Sequence, residues 1–154
     1  MIRVNFSIES LQLANDRIDR WTMLAKFITE RYSSYDGFVI VHELDELEYI
    51  ASGLSFALEN LGKAVIFTSG FRSLDVANND SSNNLYGSIM LAGGLRIPEV
   101  GIFSNEELLR GNRVVRKTCD SIDAFESPNY PALVYFGSDL TINWEFIQPI
   151  PFQD

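Results

Sequence analysis

The 154 residues are 46% hydrophobic and 21% charged, a composition that suits one globular domain and excludes a disordered chain. Twenty-one acidic against twelve basic side chains give a formal charge of −9, which repels phosphate backbones and anionic lipid surfaces and argues against nucleic-acid binding. A single cysteine, Cys119, excludes an internal disulfide. No apolar stretch approaches the roughly 20 residues of a membrane span, and the N-terminus shows neither a signal-peptide core nor a presequence pattern, so no membrane partner and a cytoplasmic location are expected.

In chain order, Val4–Ile8 reads as a short strand. Asp16 is then a candidate N-cap for a helix whose apolar stripe is Ile18, Trp21, Leu24, Phe27, Ile28 and Tyr32, at steps of three and four. Phe38-Val39-Ile40-Val41 is a continuous apolar run, as expected of a strand covered on both faces. A second helix follows with the stripe Leu47, Ile50, Ala51, Leu54, Ala57, Leu58 and Leu61, and Gly62 is placed to end it. Ala64–Phe67 is the next buried strand, which makes a βαβ unit of a parallel sheet.

Thr68 to Asn84 is rich in Ser, Asn and Asp and reads as a long loop, at the strand end where α/β proteins place their sites. Leu85–Ala92 reads as a helix stopped by Gly93-Gly94, and Val100–Phe103 as a further strand. Leu108–Arg116 suggests a hairpin around Gly111-Asn112. The two prolines of Ser127-Pro128-Asn129-Tyr130-Pro131 mark a rigid turn. Leu133–Phe136 and Leu140–Asn143 are short strand candidates, and Pro149–Asp154 is a surface tail.

Three of these blocks, in order and in register, resemble the cytosolic, bacterial-type L-asparaginases. They are Tyr35-Asp36-Gly37-Phe38-Val39-Ile40-Val41-His42 with Asp45; Ala57–Lys63 running into Val65–Thr68; and Leu109-Arg110-Gly111-Asn112-Arg113 followed by Asp123-Ala124-Phe125 and Ser127–Pro131. The resemblance is clearest over 11–131. It implies one α/β domain over 1–154: a doubly wound, mostly parallel sheet with flanking helices, like the asparaginase N-terminal domain but lacking the first strand and the C-terminal domain. It also implies amide hydrolysis of L-asparagine to L-aspartate and ammonia, with no cofactor and no metal.

Position by position, the resemblance points to a chain without that chemistry. The family's nucleophilic threonine belongs to a Thr-Gly-Gly-Thr motif that this sequence does not contain, and a covalent mechanism has no first step without it. The second threonine belongs to a His-Gly-Thr-Asp-Thr motif, which here reads His42-Glu43-Leu44-Asp45-Glu46, so Leu44 stands where a hydroxyl is needed. Asp45 matches the aspartate that holds the substrate's amino group. The activating lysine falls at Arg116 by gap-free counting, and arginine does not shed its proton; Lys117 restores the match only by a one-residue slip that turns a strand side chain to the other face. The pair that grips the substrate's head falls at Gln12 and Leu13, and Leu13 donates no hydrogen bond.

Structural roles compete for the same residues. His42, the lone histidine, suits a hydrogen-bonded strand end better than a catalytic base. His42-Glu43-x-x-Glu46 lacks the helix that a metal motif requires. Asp45 with Glu48 three residues on fits an N-cap with a capping-box partner as well as it fits a substrate ligand. Ser81, Ser82, Asn83 and Asn84 fit a solvated loop better than a ligand cradle. The expected function is that of an inactive asparaginase-like protein that joins a protein partner, or another copy of itself, through the sheet edge left open by the missing strand. An active L-asparaginase and a sensor of L-asparagine or L-aspartate are the alternatives.

Overall fold

A computed structural model describes residues 17–70, 79–119 and 121–151. The expectations for Val4–Ile8, Gln12, Leu13 and the Asp16 cap lie outside the described residues. Helix α1 (Arg17–Arg31) runs into a 3-10 turn at Tyr32–Ser34, followed by β1 (Gly37–Val41), α2 (Leu47–Ala57), β2 (Ala64–Thr68), α3 (Asp80–Gly94) and β3 (Val100–Ser104). Five short strands follow: β4 (Glu107–Arg110), β5 (Val115–Arg116), β6 (Phe125–Glu126), β7 (Val134–Phe136) and β8 (Leu140–Ile142). A last 3-10 turn spans Trp144–Phe146.

The main sheet has the order β1-β2-β3-β4-β7-β8, and β5 and β6 form a separate two-stranded ribbon. The α/β expectation holds, but the sheet is mixed. β1, β2 and β3 are parallel because helix α2 or α3 carries the chain back between them, whereas β3–β4 and β7–β8 are joined by turns too short for a crossover, and β7 returns antiparallel to β4 after the intervening segment. Helices cover both faces. Alternate side chains of β2 sort the core, with Val65 and Phe67 toward Leu24, Ile28, Ile50 and Leu54 of α1 and α2, and Ala64 and Ile66 toward Leu91 and Ala92 of α3.

Close approach fixes these layers. A Cβ on Gly53 would fall 2.2 Å from the Trp21 ring, and one on Gly37 would fall 2.4 Å from the Ala92 carbonyl, so α1 sits hard on α2 and α3 hard on β1. β2 and β3 are buried throughout, as their unbroken apolar runs require. β1 is only half-buried, and among the described residues it pairs with β2 alone.

Four local expectations are corrected. Helix α2 ends at Ala57, not at Gly62; the chain turns at Asn60 in the left-handed region (φ 53°), while the Gly62 N–H donates to the Tyr32 hydroxyl at 2.6 Å. Residues 80–84 are the first turns of α3 and not loop, because the Asn79 side chain caps the helix by accepting from the Ser82 N–H at 2.8 Å. The hairpin is formed by β3 and β4 around Asn105-Glu106, not around Gly111-Asn112. Both of its turn residues have positive φ (49° and 65°), the geometry of a type I′ turn, and a glutamate at the second position hid the signal. Finally, Asp45 does not cap α2: the N-cap is Glu46, itself left-handed (φ 66°), with no side-chain cap bond.

The C-terminal stretch is clamped rather than loose up to Gln148. Glu99 and Arg110, both buried, form a bidentate pair, Nη2 to Oε1 at 2.8 Å and Nε to Oε2. Arg110 also donates to the Phe146 carbonyl at 2.6 Å, the Gln148 N–H donates to Glu99 at 2.7 Å, and the Tyr130 ring covers the guanidinium. Burial works against the Arg110 charge, but the hydrogen bonds and charge of Glu99 more than offset it and hold the guanidinium above its ordinary value.

Candidate functional site

The carboxyl ends of β1, β2 and β3 carry the positions that the sequence singles out. β1 ends at Val41, and the His42 N–H still continues the ladder to the Thr68 carbonyl at 3.0 Å. The imidazole turns back on the chain: Nδ1 lies 2.8 Å from the Glu43 carbonyl, which can only accept, so this nitrogen carries the proton. That is the hydrogen-bonded strand-end role. Among the described residues no group of three His, Cys, Asp or Glu side chains is placed to hold a metal ion.

The turn after β1 presents its side chains on different sides. Leu44 is half-buried and packs against the core beneath α1 and α2. The Glu46 carboxylate meets Arg20 of α1 at 2.9 Å, fixing the start of α2 against its neighbour. The Asp45 carboxylate points outward, 86% exposed.

Arg116, on the ribbon strand β5, reaches across to this turn. Its Nη1 donates to Asp45 Oδ1 at 2.9 Å and to the Leu44 carbonyl at 3.1 Å, and its Nε to the Thr118 carbonyl at 3.4 Å. One guanidinium therefore ties together the two positions, 44 and 45, to which the resemblance assigns the second threonine and the aspartate. With Asp45 so exposed, the ion pair itself contributes only about 0–1 kcal/mol. The two carbonyls aim the guanidinium more than the charge does.

Lys117 takes no part in this cluster. It lies just past β5 and pairs instead with Asp123 at 2.5 Å. Asp123 holds the Lys117 ammonium above the usual lysine range through its hydrogen bond and then its charge. Glu107 is also raised above the usual carboxylate range, first by burial and then by the Asp123 charge, with Lys117 opposing.

A feature the sequence did not betray stabilises this end of the sheet. Asn84 is buried in α3; its Nδ2 donates to the Ser69 carbonyl at 2.9 Å and its Oδ1 accepts from the Asn105 N–H at 3.1 Å. Thr68 Oγ1 adds a buried bond to the Phe103 carbonyl at 3.1 Å. The stretch after β2 and the turn after β3 are thereby locked to one helix. Asn84 looked like one polar residue among many, and only the early start of α3 brings it inside.

Chemically, the cluster at Leu44, Asp45 and Arg116 offers a permanent cation, an exposed carboxylate and an apolar side chain. It holds no hydroxyl nucleophile and no amine able to act as a base at neutral pH.

A three-layer α/β domain with its polar cluster at the carboxyl end of parallel strands defines the general class. Comparison with known proteins gives the particular one: residues 3–148 match the family profile described as Asparaginase, N-terminal, and the chain belongs to the asparaginase family. It is 44% identical over 117 residues to L-asparaginase 1 of Escherichia coli (strain K12), covering 76% of this chain and 35% of that protein. It is 40% identical over 131 residues to the 60 kDa lysophospholipase of Mus musculus, covering 85% of this chain and 23% of the relative. The crystal structure of L-asparaginase I from Vibrio cholerae superposes with a TM-score of 0.85 at 34% identity, over 94% of this chain and 44% of that one. The chain thus spans about a third or less of the length of these curated relatives. No described helix is long and apolar enough to cross a membrane.

Proposed function

We propose that this chain is a catalytically inactive asparaginase-like domain that serves as a binding or structural component of a complex in the cytoplasm. The observation that carries the reading is the closure of Arg116 on Asp45 and the Leu44 carbonyl. In an amidohydrolase of this family the corresponding positions are expected to supply a hydroxyl, a carboxylate and a lysine that can lose its proton. Here the hydroxyl is absent, the base is a fixed cation, and the carboxylate is already met by that cation. A substrate ammonium arriving at Asp45 must displace or approach Arg116, which opposes it by charge. The domain as a whole, residues 1–154, is proposed to act as one unit.

The half-buried strand β1, paired only with β2 among the described residues, supports the partner-binding half of the reading. An edge of this kind accepts a further strand from another chain or a second copy. The native mass of the pure chain and its titration with L-asparagine and L-aspartate test both halves. A defined oligomer or complex with no binding heat from either amino acid is expected; a lone monomer that binds L-asparagine contradicts it.

The sensor reading rests on one observation, the 86% exposure of the Asp45 carboxylate, which leaves it accessible to a ligand amine. It requires calorimetric binding of L-aspartate or L-asparagine that disappears in Asp45→Ala. The reading of an active L-asparaginase, alone or completed by a partner, rests on the 44% identity to the E. coli enzyme and requires ammonia release.

A further inference from the structure

We propose that a groove at the amino ends of the parallel strands is a second small-molecule site, one that takes a small anion, a carboxylate or phosphate carried on a short apolar body. The groove has a volume of about 740 Å³ and lies between the entries to β1 and β2, the end of α3 and the C-terminal strap. Asp36 and Lys63 precede β1 and β2, whereas Asp45 follows β1, so about 17 Å of strand separates this groove from the Asp45–Arg116 cluster. The proposal is independent of whether that cluster is active.

Charge sets the sign of the ligand. Two cations, Lys63 and Arg96, line the groove against one carboxylate, Asp36, on a chain whose total charge is −9. Arg96 is exposed and makes no hydrogen bond or ion pair among the described residues, so its five donors are open to a ligand. Lys63 is already aimed. Its ammonium donates to the Tyr35 carbonyl at 2.6 Å and to the Tyr32 carbonyl, and it sits 4.5 Å over the Tyr32 ring, which leaves one of three N–H donors available. Such a half-buried, oriented cation is worth more to an anion than a free surface lysine, because its ordering is complete before binding.

Shape sets the rest of the ligand. The walls are Tyr32, Leu95, Ile150 and Pro151, an apolar lining for a short hydrocarbon or ring. The strap that carries Ile150 and Pro151 is anchored up to Gln148 by the buried Glu99–Arg110 pair, which brings these two residues to the groove. Over Gly93 there is open space: a Cβ there would meet nothing within 4 Å, and its φ is not in the left-handed region. Gly93 lines the groove, so a larger side chain there is accommodated without disturbing the helix and competes with a ligand for the same space.

The test is a titration of the isotopically labelled chain with butyl phosphate and, separately, with hexanoate, read as amide chemical shifts. Saturable shifts at Lys63, Gly93 and Arg96, with the Asp45 and Arg116 amides unmoved, are expected for at least one probe. Arg96→Ala should weaken that binding roughly tenfold or more, since it removes a charged donor. Gly93→Leu should abolish it while leaving the melting temperature at or above that of the wild type. Saturation by phosphate alone, hexanoate alone or both distinguishes the two anion sources. Shifts that never saturate, or that persist unchanged in Arg96→Ala and Gly93→Leu, overturn the proposal.

Discussion

Replacing Glu99 by Gln tests the packing logic of the domain most severely. The side chains of Glu99 and Arg110 are 5% and 10% exposed, so their charges are almost fully desolvated and rely on each other. Glutamine keeps the shape and one acceptor but leaves the Arg110 guanidinium buried without its counter-charge. Breaking a buried pair in this way costs about 3–5 kcal/mol. The Gln148 N–H is bonded to the same carboxylate and can keep an acceptor in the amide, so little is added there. A domain of this size has roughly 5–15 kcal/mol in total, so Glu99→Gln should lower the urea midpoint by a large fraction and at the lower bound unfold the chain. The double replacement Glu99→Leu with Arg110→Met removes both charges and should recover only the part of the loss that comes from the unpaired guanidinium, because the Phe146 carbonyl and the Gln148 N–H lose their partners. Urea denaturation followed by circular dichroism gives all three values. A loss under about 1 kcal/mol for Glu99→Gln, or a double variant as stable as the wild type, would refute the claim that this pair clasps the C-terminal strap.

Three further outcomes follow from the same structure. Asn84→Leu strands the Ser69 carbonyl and the Asn105 N–H and should cost about 1–3 kcal/mol, with faster hydrogen exchange at Asn105. Glu106→Gly relieves a left-handed glutamate in the β3–β4 turn and should raise the melting temperature by about 2–4 °C per kcal/mol gained; a fall in stability would contradict the turn assignment. Glu107 is an acid whose folded value lies above its ordinary 4.5, so the folded state holds the proton more tightly than the unfolded one. Its contribution to stability is therefore undiminished below 4.5 and declines as pH rises from there through the raised value. Glu107→Gln should remove that decline and be the more stable protein at neutral pH, and identical pH profiles for the two would show that Glu107 is not perturbed.

Much of the architecture was legible because it rests on apolar periodicity. The stripe of α1, the unbroken run of β2 and the stripe of α2 each report burial directly, whereas the equally unbroken run of β1 is only half-buried. The misread places are those where polar side chains do structural work. Asn79 caps α3 inside what reads as a loop, Glu106 takes a conformation that usually calls for glycine, and Glu46, not Asp45, heads α2. The buried Glu99–Arg110 pair joins residues eleven apart and then reaches forward to Phe146, and no local pattern announces a contact of that span. At the candidate site, Arg116 lies against Asp45 while Lys117 turns to Asp123, contacts between positions 71 residues apart in the first case and 6 in the second. That Asp45 would be met by an arginine, rather than capping its own helix, needed the tertiary fold.

The proposed inactivity toward L-asparagine is tested by ammonium release from L-asparagine labelled with nitrogen-15 at the side-chain amide, followed by NMR with the pure, folded chain. The expected signal is no greater than that of the buffer blank and is unchanged in Asp45→Ala. Release above the blank that falls in Asp45→Ala would contradict it and place a working amidohydrolase at the Arg116–Asp45 cluster.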